Sequence, residues 1–190
     1  MFINAGIRTD VSTDKNFLRD GNYNARMLAL RYVYVLALVI WLGGMVVLGA
    51  LVAPTTFNVL QVLEPDGGRA LAGAVFGATL ARFHHVAYAA GALLLVTLGM
   101  MRILGPRPAH FGIRATIVVL MLAVAAYSGL VVLDRIDALQ ALAGGLMSAL
   151  PVSDGRRLEF DRLHLLSTRL MMLNMAGALV LLYWEAREKA

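Results

Sequence analysis

The run YVYVLALVIWLGGMVVLGALVA, residues 32–53, contains no charged side chain. A helix rises ~1.5 Å per residue, so a run of this length crosses the ~30 Å hydrocarbon core of a bilayer. A helix at the surface of a soluble protein keeps a charged face, and this run has none. It therefore predicts a membrane span, ended by Pro54, whose ring cannot continue the hydrogen-bond ladder. Three further runs carry the same signature. Residues 82–101 reach spanning length only with the stretch Arg82-Phe83-His84-His85 included, residues 115–133 lie between Arg114 and Asp134, and residues 163–184 hold one charge, Arg169. The expected fold is all-α, an integral membrane four-helix bundle. A polar segment (1–31) precedes the membrane domain (32–184), and a short tail (185–190) follows it.

Composition agrees. The 190-residue chain is 59% hydrophobic and 15% charged, where a soluble domain is nearer half apolar and a quarter charged. The net charge of +5 raises nucleic acid as a partner. The basic residues are spread between apolar runs rather than gathered on one face, so the bilayer is the expected partner and nucleic acid is not. Cysteine is absent, which removes disulfides and thiolate chemistry. No nucleophile elbow, phosphate loop or metalloprotease motif occurs, so the chain does not read as an enzyme.

Orientation follows from Lys and Arg beside the spans. With the N-terminus inside, ten basic residues lie on the inner side and seven on the outer side and its helix ends. The inner loop holding Arg102, Arg107 and Arg114 has no acid, whereas the outer loops contain Glu64, Asp66, Asp137, Asp154 and Glu159. Both termini are expected in the cytoplasm, in a multi-pass membrane protein. The first 31 residues lack the short apolar core of a cleavable signal, so the first helix is expected to remain as an anchor. Two outer segments, residues 70–81 and 136–150, are apolar enough to extend helices or cap the bundle, the second broken at Gly144-Gly145. Small-residue pairs one turn apart (Gly49 and Ala53, Ala87 and Gly91, Ala125 and Gly129) suit close helix packing.

Chemistry concentrates at two matching places. Arg82-Phe83-His84 opens the second span and Arg162-Leu163-His164 opens the fourth, each after a helix with a small-residue centre (Gly43-Gly44, then Ser128-Gly129). The pattern predicts two pseudo-repeated helical hairpins. On the fourth span His164, Ser167, Thr168, Met171, Asn174 and Met175 recur every three or four residues and share one face, with Asp161 near its outer end. Polar groups in a membrane helix face protein or a water-filled cavity. Imidazole and thioether are ligands for copper or haem iron, so His84, His164, Met171 and Met175 are the candidate metal ligands. The same stripe (Asp161, Ser167, Thr168, Asn174) is equally suited to hold helices in register with no ligand. His84 and His85 are about 100° apart on a helix, so one of them is expected to face inward.

Read in order, Trp41-Leu42-Gly43-Gly44, Ala53-Pro54-Thr55-Thr56-Phe57 with Gln61, Arg82-Phe83-His84, and Phe160-Asp161-Arg162-Leu163-His164-Leu165-Leu166-Ser167 with Asn174 form a family pattern. It resembles the bacterial four-helix membrane proteins related to vertebrate transmembrane protein 205, a domain family of unknown function, over roughly residues 36–184. That family is distantly similar to the copper-resistance D proteins and to the haem-dependent protoporphyrinogen oxidase of bacteria, and its vertebrate members are associated with platinum-drug resistance. The resemblance implies metal or haem handling. Three functions follow as expectations: a membrane protein that binds or transports a metal ion or small solute, a structural or assembly protein without ligand, and a haem-binding oxidoreductase. Transport by a chain of four spans would call for a homo-oligomer.

Overall fold

Lipid offers no partner to backbone N–H and C=O groups, so an apolar chain that crosses it must satisfy them within the segment, as a helix does. The structure, a computed structural model, describes residues 11–105, 109–144 and 147–187, with side chains from Tyr23 onward apart from that of Ser148. Arg8, Arg107, Gly145 and Lys189 lie outside the described residues. No β-strand occurs among the described residues, and four helices are long and apolar enough to cross a membrane: this is an all-helical, multi-pass membrane protein. Its elements are α1 (Val11–Val47), α2 (Ala53–Leu63), α3 (Gly68–Leu104), α4 (Phe111–Tyr127), α5 (Leu133–Leu142), a short 3₁₀ turn (Met147–Ala149) and α6 (Gly155–Arg187).

Two joints in this series are continuous. α1 runs into α2 through a π-helical turn, Leu48–Val52, and α4 runs into α5 through another, Ser128–Val132. Each widened turn is closed by an N–H bonding five residues back, Ala53 to Leu48 O and Leu133 to Ser128 O. The first has a clear cause. Pro54 has no N–H to give Ala50, and its ring would press on that carbonyl in an α-turn; widening the turn relieves both. The first helix therefore does not stop at Pro54, as its sequence suggests, but bends and continues. Residues 70–81 extend α3, and residues 136–142 continue α5.

The long helices are arranged as a ring in which α1 packs on α3 and α6, and α4 also packs on α3 and α6. Tyr34, Leu38, Trp41, Leu94, Leu98, Val118 and Leu181 form the core, each 1% exposed or less. Gly91 admits Leu122 and Trp41, and Gly177 admits Met121: an added Cβ would lie 2.9 Å from Trp41 Cζ3 or from the Met121 sulfur. The outer faces carry exposed Leu51, Val96, Leu120 and Met172, as a lipid-facing surface does.

Arg31 of α1 meets Glu185 near the close of α6 at one end of this bundle, called here the terminal end. At the far end α2 folds back on α3, joined by the ring pair Phe57–Phe76 with centroids 6.5 Å apart. The turn between them closes through Gly68 N–H to Glu64 O at 2.6 Å, and a side chain at Gly68 would strike the Leu60 carbonyl.

Candidate functional site

α2, α5 and the start of α6 spread the far end of the bundle, and a cavity of about 460 Å³ opens between them. That volume falls within the range of small-molecule sites, ~300–1,000 Å³. The four helices converge on Trp41, Ala87, Ala125 and Asn174, which form the floor. Below them the core is closed by Leu38, Leu94, Val118 and Leu181.

Seven of the eight residues singled out from sequence border this cavity: His84, Asp161, His164, Ser167, Thr168, Met171 and Asn174. Met175 does not; it packs against the core cluster. His84 is buried, whereas its neighbour His85 is exposed. His84 Nδ1 lies 2.9 Å from Leu80 O. A carbonyl can only accept, so Nδ1 carries the proton, and when the ring is neutral its Nε2 is an acceptor. The ring rests on Gly129, where an added Cβ would come within 2.6 Å of its Cδ2. A glycine in α4's widened turn thus seats a histidine of α3.

His164, the matching residue of α6, sits differently. It is exposed and stacks nearly parallel to Phe160, at 9° and 6.2 Å between centroids. Of the four candidate ligands, His84, His164 and Met171 border the cavity and Met175 packs against the core. Among the described residues no group of three or more His, Cys, Asp or Glu side chains could hold a metal ion.

Asn174 is the most informative residue of the stripe. It is 5% exposed, borders the cavity, and its Oδ1 has no hydrogen-bond partner among the described residues. A buried amide oxygen left unmade costs about 1–3 kcal/mol. Thr168 has its hydroxyl directed to His164 O at 3.0 Å. Lining Asp and Arg residues (Arg69, Asp137, Arg157 and Asp161) all come from the far-end extensions, while the deeper polar groups are His84, Ser128, Ser167 and Asn174. Arg157 is held by Leu150 O at 2.7 Å. Arg169 is exposed and forms no salt bridge with Asp134 or Asp137 among the described residues.

A second polar centre lies at the terminal end and was not anticipated. Arg114 is 1% exposed and Glu185 3%. Glu185 accepts from Arg114 Nη1 at 2.9 Å and from Arg31 Nε at 3.0 Å, tying α1, α4 and α6 together. In the sequence Arg114 reads as a basic flank of the third span. The available signal was an Arg and a Glu at the same depth on neighbouring helices, since an ionisable residue at a span's end is expected to find a partner. The aromatic lining of Trp41, Phe57, Phe76, Phe83 and Phe160 was not among the candidate site residues, although all but Phe76 stand within the quoted family pattern.

Fold and site define a multi-pass helical membrane protein with a cavity between its helices at one end. Residues 36–144 match the family described as a domain of unknown function, DUF4149, over more than half of the chain. The protein belongs to that family. No curated protein and no solved structure matches it.

Proposed function

We propose that this protein binds a small molecule in the far-end cavity, reached from the non-cytoplasmic side of a bacterial inner membrane, with both chain ends in the cytoplasm. The orientation rests on the excess of basic residues at the terminal end. The observation that carries the binding function is Asn174, a buried amide on the cavity floor with its oxygen unpartnered. Small-molecule sites combine an apolar lining with a few polar groups placed to fix orientation. Aromatic walls over His84 and Asn174 have that composition.

The alternatives from sequence are less well supported. Copper or haem would draw on His84, His164, Met171 and Met175, of which Met175 packs against the core outside the cavity and His164 is exposed against Phe160. A purely structural stripe would satisfy its own polar groups, and Asn174 does not.

The bundle also reads as two hairpins in one register. The widened turns begin at Leu48 and Ser128, 80 positions apart, the same separation as Gly49 from Gly129 and His84 from His164. Buried Tyr34, Leu38, Trp41, Met45 and Leu48 have buried counterparts in Arg114, Val118, Met121, Ala125 and Ser128 at that spacing. Duplication would place one helix bend on each side of the cavity, and such turns recur at functional sites.

The chain has no cysteine, so one can be introduced alone. Ser167→Cys should react with a membrane-impermeant charged thiol reagent added outside intact cells, and Met175→Cys should not. Equal reactivity of the two, or none at Ser167→Cys, would contradict a cavity open to that side.

A further inference from the structure

Given that the cavity is a binding site, its deep polar groups indicate what it binds. His84 Nδ1–H is committed to Leu80 O, which leaves Nε2 of the neutral imidazole an acceptor. Asn174 Oδ1 is a buried acceptor without partner among the described residues. Thr168 has directed its one proton to His164 O and retains only lone pairs. Two deep positions, His84 Nε2 and Asn174 Oδ1, therefore offer acceptors, and the half-buried Thr168 hydroxyl adds lone pairs to the lining. An anion would find no cation at that depth, since Arg69 and Arg157 lie on the far-end extensions. A bare cation would leave its charge in the bundle with carboxylates only at the mouth, since Asp137 and Asp161 lie on the far-end extensions, and a buried unpaired charge is strongly disfavoured. The walls above are apolar and aromatic.

We infer that the cavity takes an uncharged, lipid-soluble molecule that leads with a hydroxyl donor, placed to hydrogen-bond Asn174 Oδ1 or His84 Nε2, with its apolar body between the aromatic walls. A hydroxyl satisfies the orphaned acceptor without bringing charge, and the body replaces lipid contacts with side-chain contacts. A site built around such a bond discriminates strongly against an analogue lacking the donor, because its own polar atom is then left unpaired.

The probes are 4-tert-butylphenol and 4-tert-butylanisole, which share an apolar body but differ in the donor. Protection of Ser167→Cys from the thiol reagent reports occupancy in detergent, and the unprotected rate reports whether the cavity is open. The phenol should protect at about tenfold lower concentration than the anisole. Adding Asn174→Leu should remove most of that preference, and comparison between the two proteins cancels the probes' different partitioning. Equal protection by phenol and anisole, or a preference unchanged by Asn174→Leu, overturns the inference while leaving the cavity intact. Protection by neither probe at a fast unprotected rate overturns it too. A slow unprotected rate at Ser167→Cys instead removes the binding function on which the inference rests.

Discussion

Replacing Glu185 with alanine should cost the bundle about 3 kcal/mol. The carboxylate accepts from Arg114 at 2.9 Å and from Arg31 at 3.0 Å. Hydrogen bonds to charged groups contribute about 1.5–3 kcal/mol each, and breaking a buried ion pair from one side costs about 3–5 kcal/mol. The two arginines will not share this loss equally. The Arg31 side chain is 29% exposed and can turn its head toward the interface, whereas that of Arg114 is 2% exposed and cannot. Arg114 also interacts beyond Glu185, which holds the expected loss at the lower end of the range. For a chain of this size about 3 kcal/mol corresponds to a fall in Tm of roughly 6–12 °C. Thermal unfolding of the purified protein, followed by circular dichroism at neutral pH, is the assay. The double change Arg114→Met with Glu185→Met should recover most of the loss, because apolar side chains of similar volume replace a buried pair at little cost. A Glu185→Ala protein within 1 °C of the parent, or a double variant less stable than Glu185→Ala, would refute the assignment of these residues as one buried pair.

Gly129→Ala should destabilise by about 1–3 kcal/mol through overpacking against His84 and Tyr88, and should shift the His84 ring signal in an imidazole NMR spectrum. Gly43→Ala meets nothing within 4 Å and should leave both unchanged. The exposed pair Arg135–Glu159, whose side chains are 64% and 43% exposed, should contribute well under 1 kcal/mol, so Arg135→Ala should barely move Tm. The loop carboxylate Asp154 is held below the ordinary carboxylate range, first by the Arg156 side chain and then by its backbone N–H. Its folded pKa is depressed, so its small stabilisation is complete at neutral pH and disappears as pH falls through that lowered value. A carboxyl NMR titration should place the midpoint below that of the Arg156→Ala protein.

The spans were legible because each is a long uncharged run, and only a helix satisfies its backbone in lipid. The inward face of the fourth span was legible for a related reason: polar groups at helical spacing cannot all point at hydrocarbon. Periodicity could not assign Met175 to the core rather than to the cavity, since both lie on the same broad face and the depth at which the bundle opens depends on the neighbouring helices. The bend at Pro54 was misread because proline marks the loss of a hydrogen bond, not whether the chain ends or widens its turn in response. Arg114 and Glu185 were hidden by distance. They are 71 residues apart, and each alone resembles an ordinary charge at a membrane interface. The contrast between a buried His84 and an exposed His164 also depends on packing, namely Gly129 opposite the first ring and Phe160 stacked on the second.

The central claim is that Asn174 stands on the floor of an occupied binding cavity. Native mass spectrometry of the protein extracted with surrounding lipid, compared with Asn174→Leu prepared identically, tests it most directly. The expected result is a small molecule retained at about one per chain by the parent and lost from the variant. Identical spectra for the two proteins, with either no bound molecule or the same one at the same occupancy, would contradict it.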